Sequence, residues 1–189
     1  FLSAADGEQV LKLAAKEEFE YAEVDELGTV VEKDYTPYHI NQVLALKLVN
    51  RDAIAQADLK IVVDAVNSVG GVVIPALLRA LGVKEIIELN CEPTGHFAHN
   101  PEPIPENLTQ IAAKMKESRA DLGIVVDPDV DRLALISENG EMFGEEYTLV
   151  AVADYVLKHT PGNTVSNLSS SRALKDVTEA YGQQYHAAA

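Results

Sequence analysis

Residues 59–89, LKIVVDAVNSVGGVVIPALLRALGVKEIIEL, decide the fold. Leu59 to Asp64 is a short apolar run rich in β-branched residues and predicts a strand. Gly71 to Leu81 then predicts a helix that stops at Gly82, and Lys84 to Leu89 is strand-like again. Strand, helix and strand in this order make a βαβ unit, so the chain is read as α/β.

The same alternation continues downstream. A Pro-rich loop over 90–105 leads to a helix from about Glu106 to Glu117, the apolar strand 121-DLGIVV, the acidic loop 127-DPDVD and the strand 132-RLALIS. Asn139-Gly140 predicts a type I′ hairpin that folds Glu141-Met142-Phe143 back on that strand. After Gly144 come a helix to about His159, a strand near Thr164 to Leu168, the polar loop Ser169-Ser170-Ser171 and a helix from Arg172 to Tyr181. No internal repeat is visible, and two small α/β units joined near residue 140 account for the pattern.

Upstream, Ser3 and Asp6 stand at capping-box spacing before a helical face of Val10, Leu13 and Ala14. An acidic connection follows over 17–34. Thr36-Pro37 opens another helix, with Thr36 as the expected N-cap and Ile40, Val43, Leu44 and Leu48 as its buried stripe.

Composition narrows the function classes. With 189 residues, 47% of them hydrophobic and 24% charged, the chain is that of a folded globular protein. Fifteen basic against 30 acidic residues give a formal charge of -15, a surface that repels the phosphate backbone of nucleic acids. The single cysteine, Cys91, cannot form an internal disulfide, which points to a reducing, cytoplasmic setting. No apolar run approaches the ~20 residues of a membrane span, and residues 1–30 have no signal-peptide pattern. A start at Phe1 without methionine, and an incipient strand at Gln183 to Ala189, suggest a fragment.

The chemistry centres on 127-DPDVD. Asp127, Asp129 and Asp131 alternate directly after a strand, and carboxylates this close repel unless a cation or water holds them. Hard oxygen ligands suit Mg²⁺ or Ca²⁺; the alternative is a solvated acidic turn. An EF-hand would also find Glu138 at its twelfth position, but it needs Gly where Arg132 stands and helices where strands are expected. A haloacid-dehalogenase-type phosphatase also places DxD after a strand, its first Asp the nucleophile, although that motif usually opens the domain.

Asp127-Pro128-Asp129-Val130-Asp131-Arg132, preceded by Gly95-His96-Phe97 and 101-PEPIPENL, resembles the second domain of the α-D-phosphohexomutases, the phosphoglucomutase/phosphomannomutase superfamily. The stretch 61-IVVDAVNSVGG resembles that domain's first strand and turn, and 167-NLSSSRAL the start of the third domain. The resemblance covers roughly 36–189. It implies two three-layer α/β units with mixed sheets, the second incomplete, divided as a tail of domain one with linker over 1–35, domain two over 36–140 and the first part of domain three over 141–189. It further implies a Mg²⁺ cofactor on Asp127, Asp129 and Asp131, with Arg132 positioning phosphate or substrate. The implied activity is the interconversion of hexose 1-phosphates and 6-phosphates, of glucose and/or mannose, through a phosphoserine and a bisphosphorylated sugar. The chain departs from the family at Val130, where a small residue is usual.

The remaining candidates are weaker. The family's phosphoserine precedes His-Asn-Pro, but here that tripeptide follows Ala98, which cannot carry a phosphoryl group; the nucleophile is expected outside this chain, in a serine loop upstream, domains one and four of the parent are expected to be missing from this piece, and the piece alone is expected to be inactive. His96 and His99 are read as structural or solvent-facing. Ser169 to Ser171 read as a helix N-cap, Arg172 as a possible substrate contact or a surface arginine, and Cys91 as a small hydrophobe at a strand end. Besides the mutase fragment, a Mg²⁺-dependent phosphatase of the haloacid-dehalogenase type and a non-catalytic cation-binding module remain as alternatives.

Overall fold

Ile61, Val62 and Val63 are apolar at successive positions, with no polar alternation, because both faces of this strand are buried. A computed structural model describes residues 2–144 and 146–188, so Glu145 and the terminal residues Phe1 and Ala189 lie outside the described residues. In it β1 (Lys60–Asp64) is the inner strand of a four-stranded sheet of order β2-β1-β3-β4. It runs parallel to β2 (Glu85–Leu89) and β3 (Leu122–Val126), while β4 (Leu133–Ser137) is antiparallel to β3. The sheet is therefore mixed.

Strand side chains alternate between faces. Ile61 and Val63 enter a core with Leu78 of α4 (Gly70–Leu81), Val83 and Ile54 of α3 (Arg51–Gln56). Val62 enters the opposite core with Leu108, with Ile111 and Met115 of α5 (Thr109–Ser118), and with Val125, Ala134 and Ile136. Helices on both faces make three layers, as expected for this fold class. Gly71 lets α4 start close to the sheet edge: a Cβ there would lie 2.1 Å from the carbonyl oxygen of Cys91.

Contacts divide the chain into two units, Phe1–Asp34 and Tyr35–Ala189. The first holds α1 (Ala4–Lys16), whose capping box is formed: Asp6 N donates to Ser3 Oγ at 3.2 Å and Ser3 N to Asp6 Oδ2 at 3.2 Å. Aspartate thus does here what Glu or Gln usually does. Its apolar face is exposed, with Val10 and Leu13 at 53% and 65%. The connection over 17–34 is irregular apart from a 3-10 turn at Val24–Glu26.

In the second unit α2 (Thr36–Leu44) starts one residue earlier than expected, with Tyr35 at the cap position and Thr36 already helical. The expected stripe of Ile40, Val43, Leu44 and Leu48 is half-buried, and Leu48 falls beyond the helix. The chain turns there because Asn50 starts α3, its Oδ1 accepting from Ala53 N at 3.0 Å. Past the sheet come α6 (Tyr147–His159) and a parallel pair, β5 (Thr164–Asn167) and β6 (Tyr185–Ala188), linked by α7 (Ala173–Ala180).

The turn after β4 differs from expectation. Gly140 N donates to Ser137 O at 2.9 Å and Ser137 N to Glu141 O at 2.8 Å, and Gly140 has φ 80 while Asn139 is not left-handed. A type I′ turn needs both central residues left-handed, so this is a type I turn followed by a glycine bulge.

Candidate active site

Because β2 and β3 flank β1 and all three run parallel, their carboxyl ends lie along one edge of the sheet. Three connections therefore meet there: the turn after Asp64, the Pro-rich loop after Leu89 and the acidic loop after Val126. Ligands of open α/β sheets bind at such an edge.

The acidic loop is built around Asp127, buried at 7% exposure where β3 ends. Its Oδ1 accepts from Arg132 N at 3.1 Å and its carbonyl oxygen from Val130 N at 3.2 Å, so one residue closes the loop twice. The closure turns Val130 into the left-handed region at φ 64, a conformation that costs a β-branched residue strain. This accounts for the small residue expected at that position.

Asp127, Asp129 and Asp131 come together as the sequence suggests, each offering one carboxylate oxygen within 4.8 Å of the others. Asp129 and Asp131 are exposed. The carboxyl of Asp131 is held above its usual range, first by its hydrogen bond with Asp127 and then by the charges of Asp129 and Asp127. Three hard oxygens that repel one another in this way fit a small divalent cation. The flanking elements are the strands β3 and β4, which excludes the helix-flanked EF-hand.

Arg132 stands next to the triad, half-exposed, with Nε 4.0 Å from Asp131 Oδ1. Its Nη1 is ion-paired with Glu102 of the Pro-rich loop. In the sequence Glu102 stands out only as part of 101-PEPIPENL, and no spacing rule links positions 30 residues apart. Arg172 lies just before α7 and is engaged with Asp176, Nε to Oδ1 at 3.2 Å. Ser171 Oγ accepts from Ala173 N at 3.0 Å, a cap-like role, while Ser169 and Ser170 donate to Asn167 Oδ1.

A second missed residue is Asp64, fully buried at the end of β1. Oδ1 accepts from Val66 N at 3.1 Å and Asn90 Nδ2 at 3.2 Å, and Oδ2 is 3.1 Å from His99 Nε2. His99 is thus structural, as expected. An acidic residue inside an apolar run was the available signal. Cys91, half-buried, has its thiol pushed up to about 11, by desolvation first and then by the charges of Glu88 and Asp64.

The family model described as "Phosphoglucomutase/phosphomannomutase, alpha/beta/alpha domain II" matches residues 37–140. A phosphoglucomutase/phosphomannomutase of Thermococcus kodakarensis is 35% identical over 175 residues, covering 92% of this chain and 38% of its own. A protein of Methanopyrus kandleri named "Probable phosphoglucosamine mutase" is 34% identical over 168 residues, covering 87% of this chain and 36% of its own. The crystal structure of a phosphoglucomutase/phosphomannomutase family protein from Burkholderia thailandensis superposes with a TM-score of 0.77 at 26% identity, covering 98% of this chain and 39% of that one. The chain thus spans a little over a third of the length of the curated relatives it matches.

Proposed function

The chain belongs to the phosphoglucomutase/phosphomannomutase family, and from that premise we propose that it is the metal-loop part of an enzyme that interconverts hexose 1-phosphates and 6-phosphates. The sugar is glucose and/or mannose, and the route is a phosphoserine with a bisphosphorylated sugar intermediate, an intramolecular phosphoryl transfer. The serine is supplied from outside these 189 residues, since His-Asn-Pro follows Ala98 here. Residues 36–140 form the metal-loop domain, 1–35 lead into it, and 141–189 begin the next one.

One observation carries the reading: three aspartates and Arg132 share a single loop at the ligand-binding edge of the sheet. Asp127, Asp129 and Asp131 would hold Mg²⁺, which offsets negative charge on the phosphoryl oxygens when bound. Asp127 keeps the loop closed through the Arg132 amide, which fixes the backbone of Arg132 beside the ligands. Arg132 donates N–H groups to a phosphoryl oxygen, a local positive focus in a chain of net charge -15. Arg172 is a further substrate contact in this reading once it leaves Asp176.

Among the described residues no helix is long and apolar enough to cross a membrane. The lone cysteine and the acidic charge fit a cytoplasmic enzyme without nucleic-acid partners. The named relatives are mutases, which favours this reading over the phosphatase and the cation-binding module. The test is conversion of glucose 1-phosphate and mannose 1-phosphate by the full-length protein with Mg²⁺ and a trace of glucose 1,6-bisphosphate, with a glucosamine 1-phosphate arm. Conversion of glucosamine 1-phosphate alone would overturn the choice of sugar, and no conversion of any of the three would overturn the mutase reading.

A further inference from the structure

Glu102 stands 30 residues before Arg132, yet its carboxylate is the ion-pair partner of Arg132 Nη1. Its place is prepared from several sides. Glu102 N donates to Asn100 Oδ1 at 3.1 Å, and Glu102 O accepts from Asn107 Nδ2 at 2.8 Å. Pro101 and Pro103 flank it and restrict the backbone. Three residues earlier, His99 Nε2 lies 3.1 Å from the buried carboxylate of Asp64, which fastens the loop to the end of β1.

The charge pattern makes this placement consequential. Arg132 Nε is already 4.0 Å from Asp131, so nearby carboxylates other than Glu102 attract the same guanidinium. A guanidinium drawn onto them would cover oxygens that a cation needs. Held by Glu102, it keeps one edge engaged, and among the described residues Nη2 has no hydrogen-bond partner, which leaves an N–H edge for an anion.

We propose that Glu102 is a positioning residue that holds the Arg132 guanidinium off the Asp127-Asp129-Asp131 cluster and turns its remaining N–H edge toward the phosphoryl group. The proposal rests on the mutase reading above for its substrate but not for its geometry. Glu102 touches no reacting atom and acts through Arg132. The structure therefore assigns the Pro-rich loop a part in the site.

Three measurements test it. In the full-length protein, Glu102→Gln should lower kcat about tenfold with KM within about twofold, and Glu102→Asp should restore part of it. The same Gln change placed on Arg132→Ala should cost nothing more, because residues acting as a unit are not additive. An equal further loss in that background would overturn the proposal. In the 189-residue chain, the Arg132 side-chain Nε–Hε signal in nitrogen-edited NMR should shift in Glu102→Gln at unchanged melting temperature. Mg²⁺ titrated into that variant should bind more weakly, by roughly threefold to tenfold, and equally to wild type once Arg132 is Ala. An unmoved signal with unchanged Mg²⁺ affinity would overturn the proposal whatever the enzyme's activity. A wild-type protein without turnover would instead remove the mutase reading, leaving the signal and the titration to decide for Glu102.

Discussion

His99 Nε2 lies 3.1 Å from Oδ2 of Asp64, with the histidine side chain 15% and the carboxylate 1% exposed. The other ring nitrogen, Nδ1, is 2.8 Å from Asn100 O, so both nitrogens face oxygens. The pair joins the first strand of the sheet to the loop that carries Glu102.

Removing the histidine strips a buried carboxylate of one of its partners. His99→Ala should therefore destabilise the chain by about 2 kcal/mol, whereas exposed His96→Ala should stay within about 0.5 kcal/mol. Urea unfolding of the two variants is the check, and equal midpoints would show that Asn90 and Val66 satisfy Asp64 without His99.

Val130 gives the opposite sign. A left-handed β-branched residue stores roughly 1–2 kcal/mol. Glycine would release that strain and lose about 0.5–1 kcal/mol in chain entropy, as well as the contact made by a half-buried valine. Val130→Gly should thus raise unfolding free energy by a few tenths of a kcal/mol or leave it level, on the same urea curves. A loss above about 1 kcal/mol would show that packing over Gly70, whose Cβ would lie 3.5 Å from Val130 Cγ2, outweighs the strain.

Most of the sheet and the metal loop could be read from local pattern, because both depend on neighbours in sequence. The apolar runs at 61–63 and 122–126 mark strands buried on both faces, and the alternating aspartates mark a turn with converging carboxylates. Pairings across long separations could not be read: Glu102 with Arg132, and Asp64 with His99, need the parallel order β2-β1-β3 to bring three loops to one edge. The turn at Asn139-Gly140 departs from the type I′ expectation because one extra residue in the hairpin lets Gly140 alone take the left-handed conformation.

The acidic triad should take up Mg²⁺ weakly, since no phosphate oxygen from this chain completes the shell. Calorimetric titration should give less heat with Asp129→Asn than with wild type; equal heats would count against the site. The pH dependence has a definite sign. Asp131 is held above its ordinary range, so it must release a proton before it can ligate, and affinity should fall as the pH drops toward that range.

Cys91 should be a slow nucleophile. With its thiol near pKa about 11, roughly one molecule in a thousand carries a thiolate at pH 8, against about one in four for an ordinary cysteine. Alkylation by iodoacetamide at pH 8 should be on the order of a hundredfold slower than that of a free cysteine peptide, and its rate should keep rising to about pH 11. A plateau near pH 9 would mean that burial and the charges of Glu88 and Asp64 do not act on the thiol as placed.

The 189-residue chain, by itself, should not isomerise hexose phosphates. No serine stands directly before its His-Asn-Pro, which follows Ala98, and the chain spans a little over a third of the relatives it matches. A metal loop and a positioned arginine stabilise charge but supply no phosphoryl group. Correct placement of donor and acceptor can itself be worth ~7 to 11 kcal/mol of the barrier, so even free bisphosphorylated sugar should not rescue the reaction. The assay is conversion of glucose 1-phosphate with glucose 1,6-bisphosphate and Mg²⁺, run beside a phosphate-release assay on the same sample. Isomerisation by the purified chain would place a nucleophile within it, with Ser169 to Ser171 the first residues to substitute. Phosphate release that disappears with Asp127→Asn would turn the reading of this loop to a phosphatase centre.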